Sequence, residues 1–240
     1  MPRPAATVVL PVRNEARHVA AALDAVLAQD LPGDALEVLV VDGASGDETR
    51  AIVRRVADGA RFPVRVLDNP GRIAAAGLNT GLRAAAADVV VRVDGHCTVP
   101  PDYVRRLLDT LERTGAVAAG GVVAPVGHGP WGRAVAAALR HPLGHGGAAF
   151  RAAGGAEREV DTVPFPAYRR QAVLAAGGFD ERFVRNQDDD LHLRLRRAGG
   201  RIVLVPVSGA VLVAAADAPA GLVAAAASTA PETGTSTVHA

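Results

Sequence analysis

The sequence predicts an α/β protein with a mostly parallel central sheet and helices on both faces. Two observations lead to this fold class. Short runs of β-branched residues alternate with segments of helical spacing in the first half of the 240-residue chain. Polar residues directly follow several of these runs, as they do where the carboxyl ends of parallel strands line a ligand site. The length is enough for one domain with a sizeable core.

The predicted strands are short apolar runs rich in valine. The fourth run, Val89 to Val93, is interrupted only by Arg92. Each run ends at a turn signal or at a polar residue, which sets its boundary. The predicted strands are residues 7–12, 36–41, 64–67, 89–93, 116–123 and 201–207.

The predicted helices lie between these strands and have apolar residues at helical spacing, such as Val19, Leu23 and Val26 in the first. Ser45 and Asp47 are expected to cap the second helix. A proline near the first turn suits the fourth helix, and a Gly-Gly pair ends the last one. The predicted helices are residues 15–28, 48–56, 73–87, 101–114 and 188–198.

The remaining segments differ in composition. Residues 127–155 are rich in Gly, Ala and His without periodicity, which predicts a long flexible loop that could fold over a ligand. A pattern typical of regular secondary structure returns at residues 160–165. All 26 basic residues are Arg and none follows Arg201, and the chain ends in a composition typical of disorder. We therefore predict one domain over 1–207 and an atypical tail over 208–240.

Composition excludes some classes of function. The net charge of +1 gives no reason to expect nucleic-acid binding. A single cysteine, Cys97, excludes an internal disulfide framework, and it is expected to be a small buried residue at a strand end rather than a ligand. The sequence shows no signal peptide and no apolar stretch typical of a membrane-spanning helix, so a cytoplasmic location is expected.

Asp94-Gly95-His96 is the most informative motif of the chain. It follows the strand over 89–93, so a carboxylate and an imidazole enter the loop at the ligand-binding edge of the sheet. Both groups could hold one divalent cation, and that cation could hold a diphosphate. The alternative is an ordinary Asp-Gly turn at a strand end.

Two more loops follow predicted strands. The loop containing Pro11, Arg13 and Glu15 suits a ligand site, although Asn14 could instead cap the following helix. Asp42 ends a buried strand, where its carboxylate needs partners such as a ribose hydroxyl or a base N–H. No G-x-G-x-x-G dinucleotide fingerprint follows the first strand.

Two helices also carry candidate residues. Arg72, near a helix start, could meet phosphate or could simply be solvated. Asn79, deeper in the same helix, indicates a specific hydrogen bond because it disfavours helix. Asp188, Asp189 and Asp190 at the last helix start suit the helix dipole, yet crowded carboxylates also raise the pKa of a partly buried member, as a general base requires. Asp188 is the candidate base.

Together these motifs resemble glycosyltransferase family 2, the inverting enzymes of the GT-A fold that use nucleotide sugars. The resemblance runs from about residue 6 to residue 207. Residues 160–165 and the Asp-Gly-His variant are similar to the bacterial succinoglycan-biosynthesis type. The matching segments are Pro-Val-Arg-Asn-Glu at 11–15, Val-Val-Asp-Gly-Ala-Ser-Gly-Asp-Glu-Thr at 40–49, Asn-Pro-Gly-Arg-Ile at 69–73, Val-Asp-Gly-His at 93–96 and Gly-Gly-Phe-Asp-Glu-Arg-Phe with Gln-Asp-Asp-Asp at 177–190.

The resemblance implies a role for each candidate. Asp188 would be the catalytic base, and Asp94 and His96 would lie at the ribose and the divalent metal. The implied donor-nucleotide residues are Pro11, Arg13, Glu15, Asp42, Arg72 and Asp94.

The chain departs from the family pattern at three places. His96 stands where the family has the second Asp of its D-x-D motif, which favours Mn²⁺ over Mg²⁺ because of the nitrogen ligand. Gln187 replaces the Glu of the E-D motif. After residue 207 the chain lacks the Arg- and aromatic-rich segment common in relatives.

The resemblance thus implies a hexosyltransferase that moves a sugar from a nucleoside-diphosphate donor, expected to be a UDP-sugar, to a saccharide or lipid-linked acceptor in exopolysaccharide synthesis. It also implies peripheral association with the inner membrane face. One alternative is a truncated homologue that binds nucleotide without turnover. Another is a sugar nucleotidyltransferase, which would need a Gly-rich phosphate loop that residues 11–15 lack.

Overall fold

The computed structural model describes residues 3–127, 133, 134, 136–138 and 156–214. The strands are β1 (Ala6–Val12), β2 (Leu36–Asp42), β3 (Val64–Asp68), β4 (Val89–Arg92), β5 (Cys97–Thr98), β6 (Ala118–Gly127), β7 (Arg158–Glu159), β8 (Ala167–Arg169) and β9 (Ile202–Ala214). The main helices are α1 (Val19–Leu27), α2 (Thr49–Ala57), α3 (Ala74–Ala84), α4 (Tyr103–Thr114), α5 (Arg170–Ala175) and α6 (Gln187–Arg197).

The strands form one mixed sheet in the order β3-β2-β1-β4-β8-β6-β9-β5, with β7 paired to β9. Strands β1 to β4 run parallel and are connected by α1, α2 and α3. Strand β8 lies antiparallel between β4 and β6. After β3 the chain returns past β1 to form β4, so the order of the strands reverses between β1 and β4. Such a switch point leaves a crevice at the carboxyl ends of the strands.

The core lies on both faces of this sheet, as predicted. Val8 and Leu10 of β1 pack into one buried cluster with residues of α1 and α4. Val9, between them, faces the opposite cluster with residues of α3. Successive side chains of a strand point to opposite faces, so β1 serves both layers. Gly81 of α3 allows a close approach there, because a Cβ at this position would lie 2.4 Å from a methyl carbon of Val9.

Most predicted elements are present with ends shifted by a few residues. The short β5, β7, β8 and α5 are additions that the sequence patterns did not indicate, because two or three strand residues carry no readable alternation. Strand β9 continues to Ala214, seven residues beyond its predicted end at 207. The predicted loop over 127–155 and the tail beyond 214 lie almost wholly outside the described residues.

Cys97 is fully buried on β5, as expected for a small residue near a strand end. In the described part of the chain, no helix is both long enough and apolar enough to cross a membrane.

Candidate active site

A cleft of about 170 Å³ opens at the switch point, between the loops that follow β1, β3 and β4. Six of the predicted donor and metal residues line it, although they come from three separate loops. These residues are Pro11, Arg13, Glu15, Arg72, Asp94 and His96, and the rest of the lining is Val12, Asn69, Ile73 and Ala74. The parallel arrangement of β1, β3 and β4 therefore gathers these side chains at one edge.

The loop after β1 is held by the loop after β2. Three successive backbone N–H groups, from Asn14 to Ala16, donate to side-chain oxygens of Ser45, Thr49 and Asp47 at distances of 2.9, 2.8 and 3.1 Å. Backbone donors near a helix start need such partners. This clamp fixes the backbone that carries Arg13 and Glu15 into the cleft.

The structure differs in part from the helix caps that the sequence predicts. Helix α2 begins at Thr49, and Ser45 does not cap it, whereas Oδ1 of Asp47 accepts the backbone N–H of Thr49 at 3.0 Å and so meets part of the expected role. Asn14 does not cap α1 either, because that helix begins only at Val19. Asn14 instead adopts a left-handed backbone with φ of 54°, which this residue type tolerates well. Asn14 and Ser45 therefore hold the two loops together at the ligand edge rather than cap helices.

Asp42 lies beside the cleft but does not line it. Its carboxylate is only 1% exposed and finds its partners within the protein. Ser45 donates its hydroxyl to Oδ1 at 2.5 Å and its backbone N–H to Oδ2 at 3.2 Å, and Arg50 lies 3.3 Å from Oδ2. The expected ribose or base contact is therefore not needed to satisfy this buried charge.

Asn69 is a site residue that the sequence reasoning did not single out. It is 3% exposed, it lines the cleft, and its Nδ2 donates to the carbonyl of Ile73 at 2.9 Å. Its Oδ1 is buried without a hydrogen-bond partner among the described residues. Buried acceptors are rarely left unpaired, so this atom suits an O–H or N–H of a ligand. Its position directly after β3 was the available signal.

Arg72 lies in the turn before α3 with φ of 61°, a conformation that costs a non-glycine residue free energy of the order of 1 kcal/mol. The backbone N–H of Arg72 donates to the carbonyl oxygen of Asn69 at 3.1 Å and closes this turn. Helix α3 begins two residues later at Ala74, without a side-chain cap. Arg72 and the start of α3 thus both face the cleft, and both favour an anion there.

Arg92 connects Asp94 with Asp188. Its Nε lies 2.7 Å from Oδ1 of Asp94, and its Nη2 lies 3.0 Å from Oδ2. Its Nη1 contacts both carboxylate oxygens of Asp188. The sequence showed Arg92 only as an interruption of a buried strand, and a buried charge of that kind requires a counter-charge. Two predicted residues, far apart in sequence, therefore share one guanidinium.

The two carboxyl groups differ in electrostatic environment. Burial disfavours the charged form of Asp94, yet the charge and hydrogen bonds of Arg92 outweigh it and lower the pKa of Asp94. Burial dominates at Asp188 and raises its pKa, with Arg92 opposing and Asp94 adding repulsion. The raised pKa agrees with the prediction for a base, but its main cause is desolvation rather than the crowding of neighbouring acids.

His96 faces the cleft beside Glu15, with 3.3 Å between Nδ1 and Oε1. Burial lowers the pKa of His96, but the hydrogen bond that its Nδ1–H donates to Glu15 and the charge of Asp94 raise it overall. No cluster of three His, Cys, Asp or Glu side chains suited to a metal occurs among the described residues. The carboxylate of Asp94 and the imidazole of His96 are groups of a kind that bind divalent metals, and both line the cleft, so the metal role of this pair stays a prediction.

Hydrogen bonds from α3 to the loop before α6 position the helix of Asp188. Asn79 donates to the carbonyl of Phe179 at 2.8 Å and accepts from its N–H at 2.8 Å, which confirms the specific bond expected for Asn79. It also donates to Glu181 at 2.9 Å. Since α6 follows this turn, α3 sets where Asp188 lies relative to the cleft.

The neighbours of Asp188 are bound to other partners. Asp189 accepts a hydrogen bond from Thr162 at 2.8 Å, and Asp190 pairs with Arg194 one turn later. Neither contacts Arg92 in the described structure. Of the three acids, Asp188 is the one joined through Arg92 to the cleft residue Asp94 among the described contacts.

Comparison with known proteins agrees with this geometry. The model of the family described as "Glycosyl transferase family 2" matches residues 7–174, which include the cleft and end before Asp188. The succinoglycan biosynthesis protein ExoA of Rhizobium meliloti is 36% identical over 198 residues, which cover 81% of this chain and 59% of ExoA. The chain thus spans about three-fifths of the length of that relative.

Solved structures confirm the predicted GT-A fold. The mannosyltransferase PcManGT of Pyrobaculum calidifontis, solved with GDP-Man and Mn²⁺, superimposes with a TM-score of 0.70 at 27% identity. The match covers 93% of this chain and 60% of the PcManGT chain. TarS of S. aureus, solved with UDP as residues 1–349, gives a TM-score of 0.69 at 16% identity. The match covers 88% of this chain and 60% of the TarS chain in that structure.

Proposed function

Because the chain belongs to glycosyltransferase family 2, we propose that it moves a sugar from a UDP-sugar to a hydroxyl of a saccharide or lipid-linked saccharide, with inversion at the anomeric carbon. The observation that carries this proposal is the cleft in which Arg13, Arg72, Asp94 and His96 meet, with Asp188 held to Asp94 through Arg92. The similarity to ExoA favours a role in exopolysaccharide assembly, in the cytoplasm at the inner membrane face.

The donor diphosphate belongs at the positive part of the cleft. Arg13 and Arg72 provide two guanidinium groups, and the uncapped start of α3 adds backbone donors. The orphaned Oδ1 of Asn69 would accept a hydrogen bond from the nucleoside. These groups bind and orient the donor, which lowers the entropic cost of bringing it to the acceptor.

Asp94 and His96 would hold a divalent metal, which when bound neutralises the charge of the departing diphosphate. Arg92 supports metal binding by Asp94 because it lowers the pKa of Asp94 and so keeps this carboxylate ionised. The imidazole of His96 favours Mn²⁺ over Mg²⁺, and PcManGT is a neighbour solved with Mn²⁺.

Asp188 is the proposed base. Its carboxylate takes the proton of the acceptor hydroxyl while that oxygen attacks the anomeric carbon on the face opposite the diphosphate. The bond to the diphosphate breaks in the same step, so the configuration inverts. Arg92 binds this carboxylate and also Asp94, which lines the cleft, and the raised pKa of Asp188 improves its capacity to accept a proton.

Calorimetric titration of UDP into the purified chain, with Mn²⁺ and with EDTA, tests the donor site. We expect Mn²⁺-dependent binding that is lost in Asp94→Ala. Screening UDP-sugars for donor hydrolysis then tests turnover. If neither UDP, GDP nor dTDP binds to the folded protein, the proposal fails. Binding without hydrolysis or transfer would instead support the inactive homologue.

A further inference from the structure

A buried series of hydrogen bonds fixes the first two turns of α6 behind Asp188. His192 follows Asp188 by four residues, so the two side chains lie on the same side of the helix, about 6 Å apart along its axis. Nδ1 of His192 lies 2.8 Å from Oγ1 of Thr162, and its Nε2 lies 2.9 Å from the hydroxyl of Tyr168. Thr162 also donates to Oδ1 of Asp189 at 2.8 Å. Two successive turns of α6 are therefore bonded to β8 and to the segment that leads into it.

The hydrogen bonds of this series have one compatible set of directions. Because Thr162 donates to Asp189, its hydroxyl accepts from Nδ1–H of His192, and Tyr168 donates to the remaining Nε2. His192 is fully buried, and burial lowers its pKa to about 3, which keeps the imidazole neutral as these directions require. A buried donor or acceptor without a partner costs free energy, so these bonds oppose rotation or sliding of α6.

The same series is connected to Arg92 through the sheet. Tyr168 lies on β8, which pairs with β4, and the backbone N–H of Arg92 donates to the carbonyl oxygen of Pro166 at 2.9 Å. From the other side, Nη1 of Arg92 contacts the carboxylate of Asp188. The pair of strands and α6 are thus joined at two places, once by His192 and once by Asp188. The contact between Arg92 and Asp188 depends on the rotation of α6 about its axis, which His192 fixes.

We propose that His192 is a positioning residue for the reaction, which keeps the carboxylate of Asp188 on Arg92. Thr162 and Tyr168 hold the imidazole in the orientation that this role requires. The inference rests on the proposed function, in which Asp188 takes the proton of the acceptor hydroxyl. A displaced base loses rate because proton transfer requires hydrogen-bond reach. None of the three residues of the series lines the cleft, so its loss should affect the chemical step and not donor binding.

The test removes single hydroxyl groups and keeps the shape of the side chains. Thr162→Val breaks both bonds from Thr162 to α6, and Tyr168→Phe breaks the bond to Nε2 of His192. Thr162→Ser keeps the hydroxyl and is the conservative variant. Tyr103→Phe is the matched control, because Tyr103 is also fully buried and its hydroxyl bonds two backbone groups outside α6.

Hydrolysis of UDP-glucose, UDP-galactose and UDP-N-acetylglucosamine by the full chain with Mn²⁺ identifies a donor, for which kcat and KM are measured. We expect kcat to fall about tenfold in Thr162→Val and Tyr168→Phe while KM stays within about twofold. Thr162→Ser and Tyr103→Phe should keep kcat within about twofold of the wild type. Added to Asp188→Asn, Thr162→Val should cause no further loss, because the base that it positions is gone.

An unchanged kcat in folded Thr162→Val, an equal loss in Thr162→Ser or a further loss on top of Asp188→Asn would overturn the positioning role. Donor hydrolysis by the wild type would still support the proposed function in each of these cases. Crystal structures give a readout without turnover, since the Asp188 carboxylate should leave Nη1 of Arg92 in Thr162→Val and remain there in Tyr103→Phe. Retention of this contact in Thr162→Val would also overturn the role. Failure of the wild type to bind UDP or to hydrolyse any donor would overturn the proposed function itself.

Discussion

Nη1 of Arg92 contacts both carboxylate oxygens of Asp188, although the two residues are 96 positions apart. The opposite side of the same guanidinium holds Asp94. Arg92 is 6% exposed, so these contacts lie where water screens little. The proposed base and the proposed metal ligand therefore have a fixed relative position before any substrate enters.

Replacing Arg92 should destabilise the fold. In Arg92→Met, two largely buried carboxylates would face each other without a cation, and losing one partner of such a pair costs about 3–5 kcal/mol. Urea denaturation followed by circular dichroism measures this loss. Arg54→Met, an exposed change from the same residue type, should stay within about 0.5 kcal/mol of the wild type. Equal midpoints for the two variants would contradict the bridging role.

Asp188→Asn should abolish proton abstraction and leave the donor site in place. We expect kcat to fall by roughly 100-fold or more, because an amide cannot accept the proton. The Kd for UDP should change little, since Asp188 does not line the cleft. Asp190→Asn is the matched control, as its carboxylate pairs with Arg194 in the next turn. Similar kcat values for the two variants would remove Asp188 as the base.

The parallel half of the fold could be predicted because its signals are local. Runs such as the one in β2 are long enough to show strand character, and polar residues at their ends mark the ligand edge. The gathering of Arg13, Arg72, Asp94 and His96 in one cleft followed from that topology together with the family resemblance.

The pairing of side chains could not be predicted in the same way. Arg92 interrupts a strand pattern, yet nothing in the sequence shows that its partners are Asp94 and Asp188, because α6 reaches β4 only through tertiary packing. Strand β8, with three residues, gives no periodic signal although it separates the parallel half from β6. The sequence predicts a helix cap at Ser45 because a side chain that caps a helix and one that bonds to a neighbouring loop offer the same hydroxyl oxygen.

The ligand at residue 96 should set the metal preference. An imidazole nitrogen favours Mn²⁺, whereas Mg²⁺ prefers oxygen ligands. His96→Asp provides a carboxylate at this place in the cleft, so we expect the ratio of Mg²⁺-supported to Mn²⁺-supported activity to rise by roughly tenfold. EDTA should abolish activity of both proteins. An identical metal profile in the variant would show that His96 does not contact the metal.

A buried hydrogen-bonded chain behind Asp188 predicts a pH-dependent stability. Nε2 of His192 lies 2.9 Å from the Tyr168 hydroxyl, and its Nδ1 lies 2.8 Å from Thr162 Oγ1. Since Thr162 donates to Asp189, it accepts from Nδ1–H, and Tyr168 donates to the bare Nε2. This series of hydrogen bonds needs a neutral His192 imidazole. Burial, with a smaller contribution from Arg92, lowers the pKa of His192 to about 3.

The sign of the effect follows from proton linkage. The unfolded chain binds a proton at His192 near pH 6.5, whereas the folded protein binds it only near pH 3. The contribution to stability is therefore fully present above about pH 6.5 and is lost as the pH falls toward 3, by up to roughly 5 kcal/mol. Urea denaturation of wild type and His192→Gln between pH 4 and pH 7 isolates this contribution from the carboxylates common to both. We expect the wild type to lose about 1.4 kcal/mol more per pH unit than the variant below pH 6. Parallel stability curves would mean that His192 is not held neutral by this chain.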